Sequence, residues 1–157
     1  MGIKNFQGKF EKPDKSLSEN IKVKDFMSTQ LITFNPEQTI PQVIDILLKN
    51  RISGGPVVNN KNEIVGVISE GDCIKQISNG QYHNLPLENL TVEKCMVTEV
   101  ETIDGNMSIF DAAMKFLNDR RRRFPIVEDN KLVGMISQKD ILKASLQINS
   151  QTWDRNQ

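Results

Sequence analysis

Apolar residues along this chain recur in two blocks that share one spacing. After Ile40, apolar residues follow three, four, seven and eight positions later, and Ile109 opens the same pattern. This spacing places the apolar side chains on one face of an amphipathic helix. Thr39 and Ser108 directly precede the two runs and are suitable N-terminal helix caps. The pattern therefore predicts two equivalent helices whose first residues, 40 and 109, are 69 positions apart.

The repetition extends to the segments on both sides of these helices. Residues 23–27 (VKDFM) match residues 92–96 (VEKCM), and residues 55–58 (GPVV) match residues 124–127 (FPIV), again at an offset of 69. A polar turn follows each Pro-containing segment, with five residues in the first copy and four in the second. Each copy is predicted to form a strand, a helix, two strands paired as a hairpin, and a final helix. This order indicates an α+β fold.

The boundaries of the two copies define the predicted organisation of the chain. Residues 23–77 form the first repeat, and residues 92–148 form the second. The segment 78–91 contains Asn, Gly, Pro and Ser and is interpreted as a linker. Residues 1–22 are predicted to be a polar N-terminal arm, and residues 149–157 a C-terminal tail. Because a unit of about 55 residues buries too little surface to be stable alone, the repeats should pack together about a pseudo-twofold axis.

The segments 66–72 (GVISEGD) and 134–140 (GMISQKD) contain the main candidate site residues. In each segment an apolar strand ends at a serine, and an aspartate follows three residues later. The two pairs are Ser69 with Asp72 and Ser137 with Asp140. Such a pair can cap a helix, because the serine hydroxyl accepts a hydrogen bond from a free backbone N–H and the carboxylate faces the positive end of the helix. A nucleotide site is the alternative, since helix starts favour anions and an aspartate can accept hydrogen bonds from ribose. The two interpretations are compatible.

Composition and charge exclude several other classes of protein. The 157 residues include 20 Lys or Arg and 20 Asp or Glu, so the balance does not indicate binding to nucleic acid or an anionic membrane. No apolar run reaches the roughly 18 residues of a membrane span, and the N-terminus lacks an apolar signal region. We therefore expect a cytoplasmic protein.

No constellation of catalytic or metal-binding residues is visible in the sequence. Cys73 and Cys95 lack metal-ligand spacing and are interpreted as buried hydrophobic residues. His83 is the single histidine, and no partner for general base catalysis is apparent beside it. We therefore predict a protein that is not an enzyme and that has neither a catalytic cofactor nor a metal site.

The complete pattern resembles that of CBS domains, two of which in tandem form a Bateman module. It comprises Val-x-x-Phe/Cys-Met, a helix, a Pro-Val/Ile-Val strand, and Val-Gly-x-Ile-Ser-x-x-Asp, and it covers about residues 23–145. The resemblance implies the α/β-type CBS fold, with two β-α-β-β-α repeats packed by their sheets across the pseudo-twofold axis. Two clefts between the repeats would bind AMP, ADP, ATP or S-adenosylmethionine.

The same resemblance implies a regulatory module that senses its ligand and signals by conformational or oligomeric change. CBS modules pair through their helical faces, so we expect a homodimer. Because no second domain is visible in the sequence, the signal must pass to an effector protein or through the oligomeric state. The alternative is a structural or protein-interaction module whose clefts are empty or degenerate.

The resemblance also implies which residues would contact the ligand. The family's ribose-binding aspartate falls on Asp72 and Asp140, and its hydroxyl at the helix start falls on Ser69 and Ser137. The segments 52–55 and 121–124 would line the clefts, and the segments 31–33 and 100–102 would approach the base. Within these four segments the predicted ligand contacts are Gly54, Gly55, Arg122, Arg123, Phe124, Thr33 and Thr102.

The two copies differ at positions that bear on phosphate binding. Arg122 and Arg123 stand where the first repeat has Ser53 and Gly54, and the arginine donor fork suits phosphate. We therefore predict that the arginines contact phosphate, so that one cleft or a shared central zone favours charged nucleotides. Adjacent side chains in a strand face opposite sides, so the two arginines should not both enter one pocket, and the family pattern favours Arg123. The alternative is that the run 120–123 is a solvated helix end, which better accounts for its first two arginines.

Two further substitutions favour the second motif for an anionic ligand. Glu70 of the first motif would oppose a phosphate if it faced inward, whereas Lys139 of the second motif would help to bind one. Magnesium is expected only as the companion of a polyphosphate ligand, because no carboxylate cage is visible.

Overall fold

A computed structural model describes residues 20–84 and 86–154 of the protein. The predictions for the N-terminal arm lie almost entirely outside these residues. The side chains of His83 and Trp153 are also outside the description.

The first repeat forms a two-stranded hairpin with two helices. Its elements are helix α1 (Ile40–Asn50), strands β1 (Gly54–Val58) and β2 (Ile64–Ser69), and helix α2 (Glu70–His83). Ahead of α1, Phe34 makes a single parallel bridge with Val57, so the first predicted strand is reduced to one residue pair. The Thr39 hydroxyl accepts from the Gln42 N–H and caps α1, as the sequence predicts.

The second repeat has the same order of elements, with a first strand of two residues. Its elements are the short helix α3 (Val92–Cys95), strand β3 (Ile103–Asp104), helix α4 (Ile109–Asp119), strands β4 (Arg123–Glu128) and β5 (Lys131–Ser137), and helix α5 (Gln138–Asp154). Strand β3 runs parallel to β4, which pairs antiparallel with β5. The Ser108 hydroxyl caps α4 by accepting from the Asp111 N–H. The two β-α-β-β-α repeats are therefore confirmed.

Two helices extend beyond the predicted repeat boundaries. Helix α2 continues to His83, through the first part of the segment interpreted as a linker, and α5 continues to Asp154, through most of the predicted tail. No proline interrupts α2 before Pro86. Asn84 ends the helix with a φ of 52°, in the left-handed region that asparagine tolerates.

The segments that open the two repeats are exchanged between them. Val23 opens the first repeat, yet its side chain is buried in the core of the second repeat with Ile103 and Ile126. Val92 is correspondingly buried in the core of the first repeat. The backbone repeats this symmetry, since the Val23 N–H donates to the Met107 carbonyl at 2.9 Å and the Val92 N–H donates to the Gln38 carbonyl at 2.8 Å. Neither core is complete without a segment of the other repeat.

Pairs of isolated bridges confirm the pseudo-twofold relation of the repeats. Lys22 bridges Ser108, and the equivalent residues Thr91 and Thr39 bridge each other. The two hairpin turns meet through Glu63 and Lys131, which are themselves equivalent positions, so this contact lies on the axis. The axis therefore passes between the turns.

The glycines within β2 and β5 permit the exchanged segments to approach the sheets. A Cβ on Gly134 would lie 2.5 Å from the Met27 sulfur and 3.0 Å from the Ser28 carbonyl oxygen. Gly66 is equally close to Met96 and to the Val97 carbonyl oxygen, at 2.5 and 2.9 Å. Both glycines therefore allow another segment of backbone to approach the strand closely, as a glycine within a strand often does.

We expect Gly134→Ala to lower the free energy of unfolding by about 1–3 kcal/mol, because the added methyl group overpacks this contact. Urea unfolding would measure the change. Gly71→Ala is the matched control, since the atom nearest to the added methyl group would be the Ser69 hydroxyl oxygen at 3.6 Å and alanine favours the helix. Equal destabilisation by both substitutions would contradict the role assigned to Gly134.

The two cores place their aromatic rings at different positions. In the second repeat Phe124 of β4 is 0% exposed, and its ring packs edge-on against Phe116 with centroids 4.8 Å apart. Gly55 occupies the equivalent position in the first repeat, and a Cβ there would lie 2.9 Å from the Phe34 ring. Phe34 stands where the second repeat has Ile103. The first repeat thus pairs Phe34 with Gly55, and the second repeat pairs the smaller Ile103 with the larger Phe124.

Candidate functional site

The two Ser-x-x-Asp motifs form helix caps with the same geometry. At the start of α2, one carboxylate oxygen of Asp72 accepts from the Ser69 N–H at 2.8 Å and from the Ser69 hydroxyl at 2.9 Å. Asp140 accepts from Ser137 at the same two distances at the start of α5. The capping interpretation is confirmed for both motifs. The side chains remain half-buried, so a cap does not exclude contact with a ligand.

One cleft, cleft A, contains the second motif and has a volume of about 290 Å³. The second repeat contributes the end of β5, the start of α5 and Arg123. The first repeat contributes residues of the segment 28–32, which lies ahead of α1, and of the segment 52–56, which leads into β1 and forms its start. The lining residues are Ser28, Gln30, Leu31, Ile32, Ile52, Gly54, Gly55, Pro56, Arg123, Met135, Ile136, Ser137 and Asp140.

A second cleft, cleft B, contains the serine of the first motif and has a volume of about 280 Å³. Its walls again come from both repeats. The lining residues are Ser53, Gly54, Gly55, Val67, Ile68, Ser69, Val100, Glu101, Arg121, Arg122, Arg123, Pro125 and Met135. Asp72, half-buried in its cap, is not one of them.

The arginines lie mainly at cleft B, which differs from the sequence prediction. The sequence favours the second motif for an anionic ligand, but Arg121 and Arg122 line the cleft that contains Ser69, and Arg123 lines both clefts. Each cleft combines the Ser-x-x-Asp motif of one repeat with the segment that leads into the first hairpin strand of the other repeat. This combination cannot be inferred from either copy alone. Arg121 is exposed and directly follows the cap residue of α4, so its place on the cleft wall is compatible with the solvated helix end predicted for it.

Helix α5 fixes the backbone of the arginine segment. The Gln138 N–H donates to the Arg122 carbonyl at 3.3 Å, and its side-chain amide donates to the Arg121 carbonyl at 3.2 Å. In the first repeat only the backbone bond has a counterpart, from the Glu70 N–H to the Ser53 carbonyl at 2.9 Å. Glutamate, as a carboxylate, could not donate the second bond.

Some predicted ligand contacts lie outside both clefts. Phe124 was predicted to contact a ligand, but its ring faces the core and is inaccessible, so this prediction is wrong. Lys139 is exposed and lines neither cleft, because adjacent helix residues point about 100° apart and Asp140 takes the inward direction. Thr33 and Thr102 are also exposed and line neither cleft. The residue before each of them does line a cleft, Ile32 in cleft A and Glu101 in cleft B.

The predicted residues that the structure brings together are mainly those of cleft A. Ser137, Asp140, Arg123 and the two glycines Gly54 and Gly55 meet there. Gln30 and Met135 line this cleft although sequence reasoning did not single them out for it. Strand alternation could have indicated Met135, because it lies on the same face of β5 as Ser137.

Glu101 on the wall of cleft B is paired with a lysine of α4. The Lys115 ammonium lies 3.2 Å from a Glu101 carboxylate oxygen and 2.7 Å from Asp119. The hydrogen bond to Asp119 makes the largest contribution to raising the pKa of Lys115, and the hydrogen bond to Glu101 makes the next largest. The same bond with Lys115 lowers the pKa of Asp119. The ammonium also lies 5.3 Å from the centroid of the Phe124 ring. Glu101 therefore already has a cationic partner on α4.

Both cysteines contribute to the core of the first repeat, but only Cys73 is buried as predicted, and Cys95 is partly buried. Cys73 is buried in the first core, and Cys95 packs against that core. Burial, followed by the charge of Asp72, raises the pKa of both thiols, which disfavours the reactive thiolate. Among the described residues, no group of His, Cys, Asp or Glu is arranged to hold a metal ion. None of the helices described is long and apolar enough to cross a membrane.

Comparison with known proteins identifies the family. The family model described as CBS domain matches residues 23–79 and 92–147, which together exceed half of the chain. The chain belongs to the CBS domain family. The two CBS repeats are also similar to the CBS domain-containing protein YhcV of Bacillus subtilis (strain 168), with 31% identity over 120 residues, covering 76% of this chain and 81% of YhcV.

Solved structures of CBS pairs share the fold. CBSX2 in complex with AMP superposes with a TM-score of 0.72 and 26% identity, covering 82% of this chain and 98% of CBSX2. CBSX2 from Arabidopsis thaliana gives the same TM-score at 25% identity, covering 83% and 97%. The CBS pair of protein MJ0100, in complex with 5-methylthioadenosine and S-adenosyl-L-methionine, gives 0.64 at 27% identity, covering 78% and 94%.

Proposed function

We propose that this CBS pair is a regulatory, non-catalytic module that binds an adenine nucleotide or a related adenosyl ligand in cleft A. The observation that carries the proposal is the meeting of Asp140 and Ser137 with the apolar residues Ile32 and Ile52 in one cavity. A carboxylate can accept about four hydrogen bonds, and the cap uses two at Asp140. Capacity therefore remains for ribose hydroxyls, and the isoleucines suit an apolar base face.

The similar structures support adenosine as the recognised part of the ligand. CBSX2 was crystallised with AMP, and the CBS pair of MJ0100 with 5-methylthioadenosine and S-adenosyl-L-methionine. These ligands differ in the group at the 5′ carbon and share the adenosine portion. Phosphate is therefore not required for the class of ligand that we assign to cleft A.

Calorimetric titration tests the proposal. The protein would first be shown to be free of bound nucleotide, and then titrated with adenosine, AMP, ADP, ATP and S-adenosylmethionine, with magnesium added in parallel for the polyphosphates. We expect saturable binding of at least one of these ligands and weaker binding of the matched guanine compounds. If no adenosyl ligand binds, the module does not have this function, and an interaction module with empty clefts becomes the better account.

The proposed signal is a change in how the two repeats pack or in how the module assembles. A ligand in cleft A contacts both repeats and can therefore shift their arrangement by its difference in affinity for the two states. The receiver would be an effector protein or a second copy of this chain.

We also propose that the module forms a homodimer through the outer faces of its helices. Leu48 of α1 and its equivalent Leu117 of α4 are each 73% exposed, and Ile74 and Leu142 occupy equivalent exposed positions on α2 and α5. Apolar residues exposed in this way on all four long helices favour a partner surface. A second copy of the chain presents the same apolar surface, so the two surfaces can pair with each other in a symmetric dimer.

Light scattering tests the dimer. We expect twice the chain mass for the unmodified protein and the single chain mass for the double variant Leu48→Glu with Leu117→Glu. Asn60→Glu, in the exposed turn between β1 and β2, adds a charge away from these helices and should leave the mass unchanged. A single-chain mass for the unmodified protein, or a dimer that survives the double variant, would argue against this interface.

A further inference from the structure

The two clefts are related by symmetry but differ in chemistry. Ile32 and Ile52 of cleft A have Glu101 and Arg121 as their equivalents in cleft B, each at an offset of 69. Two apolar walls in one cleft are thus replaced by a carboxylate and a guanidinium group in the other.

This replacement makes cleft B a poor site for a nucleoside. A base placed there would remove water from the Arg121 guanidinium without offering it an ionic partner, and it would also remove water from Glu101, which Lys115 already pairs with; both changes cost free energy. The carboxylates are also placed differently, because Asp140 lines cleft A whereas Asp72, which makes the same cap beside Ser69, is not part of the wall of cleft B. Cleft B instead presents three arginines, whose donor forks suit phosphate oxygens.

The clefts adjoin through a shared wall. Gly54, Gly55, Arg123 and Met135 line both of them. A Cβ on Gly54 would lie only 2.6 Å from the Ile68 carbonyl oxygen, so a side chain is not accommodated at this point. Arg123 pairs with Ser137 in the hairpin and is therefore placed beside the motif of cleft A while also reaching cleft B.

We propose that the two clefts form one composite site for a single nucleoside diphosphate or triphosphate. This inference rests on the proposed function. The nucleoside occupies cleft A, and the phosphate chain passes Arg123 and ends between Arg121 and Arg122 in cleft B. The two bonds that Gln138 donates hold the backbone of these last arginines in place before the ligand binds. Such preorganisation reduces the entropy lost on binding.

Stoichiometry and phosphate number test the composite site by calorimetry without magnesium. We expect one ligand per chain for adenosine, AMP, ADP and ATP, with ATP binding about tenfold or more tightly than AMP because more charged hydrogen bonds form. Inorganic tripolyphosphate should displace ATP without displacing adenosine.

Arginine variants locate the phosphate chain. The double variant Arg121→Gln with Arg122→Gln should lower the ratio of ATP to adenosine affinity about tenfold or more. Arg120→Gln is the matched control, because Arg120 ends α4, is exposed and lines neither cleft, so that ratio should not change. Circular dichroism would verify that the variants are folded.

The possible results separate the two proposals. If no adenosyl ligand binds, the proposed function itself is overturned. If adenosine binds but two molecules of adenosine or AMP occupy each chain, cleft B accepts a nucleoside and the composite site is overturned alone. Equal affinities for AMP and ATP, or a double arginine variant that keeps the ratio, would overturn it as well.

Discussion

Replacing Asp140 with asparagine should weaken binding of the adenosyl ligand by about tenfold to a hundredfold. Hydrogen bonds to a charged group contribute about 1.5–3 kcal/mol, and each 1.4 kcal/mol corresponds to tenfold in affinity. Asparagine retains an oxygen that can accept from Ser137, so the helix cap is largely kept while the charge offered to ribose is lost. Calorimetric titration with the tightest-binding adenosyl compound would measure the effect.

Asp72→Asn is an internal control that the duplication provides. Asp72 and Asp140 make the same cap bonds at the same distances, so both substitutions should cost a similar free energy of unfolding, below about 2 kcal/mol. Only Asp140 lines cleft A. Loss of binding in the Asp72 variant with retention in the Asp140 variant would reverse the assignment of the clefts.

Phe124→Ala should lower the free energy of unfolding by about 3–5 kcal/mol, the cost of removing a fully buried ring and leaving a cavity. Urea unfolding would measure this loss as a shift of the midpoint at an unchanged slope. A loss below about 1 kcal/mol would contradict the core position of the ring. Such a result would also reopen its predicted role as a ligand contact.

The equivalent position in the first repeat supplies the matched comparison. Gly55→Ala should be destabilising by about 1–3 kcal/mol, because its methyl group would press on the Phe34 ring. Adding Phe34→Leu should recover part of that loss, since the smaller side chain makes room. Strict additivity of the two substitutions would contradict the size exchange between these positions.

Much of the fold follows from sequence periodicity and from the repeat. The spacing after Ile40 and Ile109 gives the two helices, and Thr39 and Ser108 give their starts. The exchange of the opening segments could not be derived in this way. Val23 and Val92 are 69 positions apart whether each packs on its own repeat or on the other, so the offset carries no information about the exchange.

The candidate site was predictable only in part for the same reason. The Ser-x-x-Asp motifs are local, so their caps could be deduced from order and spacing alone. The clefts are not local, because each joins one motif to the arginine or glycine segment of the other repeat. Phe124 was misassigned because it ends the segment 121–124 that the family resemblance places at the cleft, whereas its ring packs in the core against Phe116.

The exchange of Val23 and Val92 has a consequence for how such a protein can arise or be divided. In this arrangement a polypeptide with one repeat would present the valine outward, and its own core would stay open until another chain supplied the missing residue. We therefore expect such a chain to fold as a segment-swapped pair of identical subunits. Duplication within one chain makes that encounter intramolecular, so its effective concentration no longer depends on the amount of protein present.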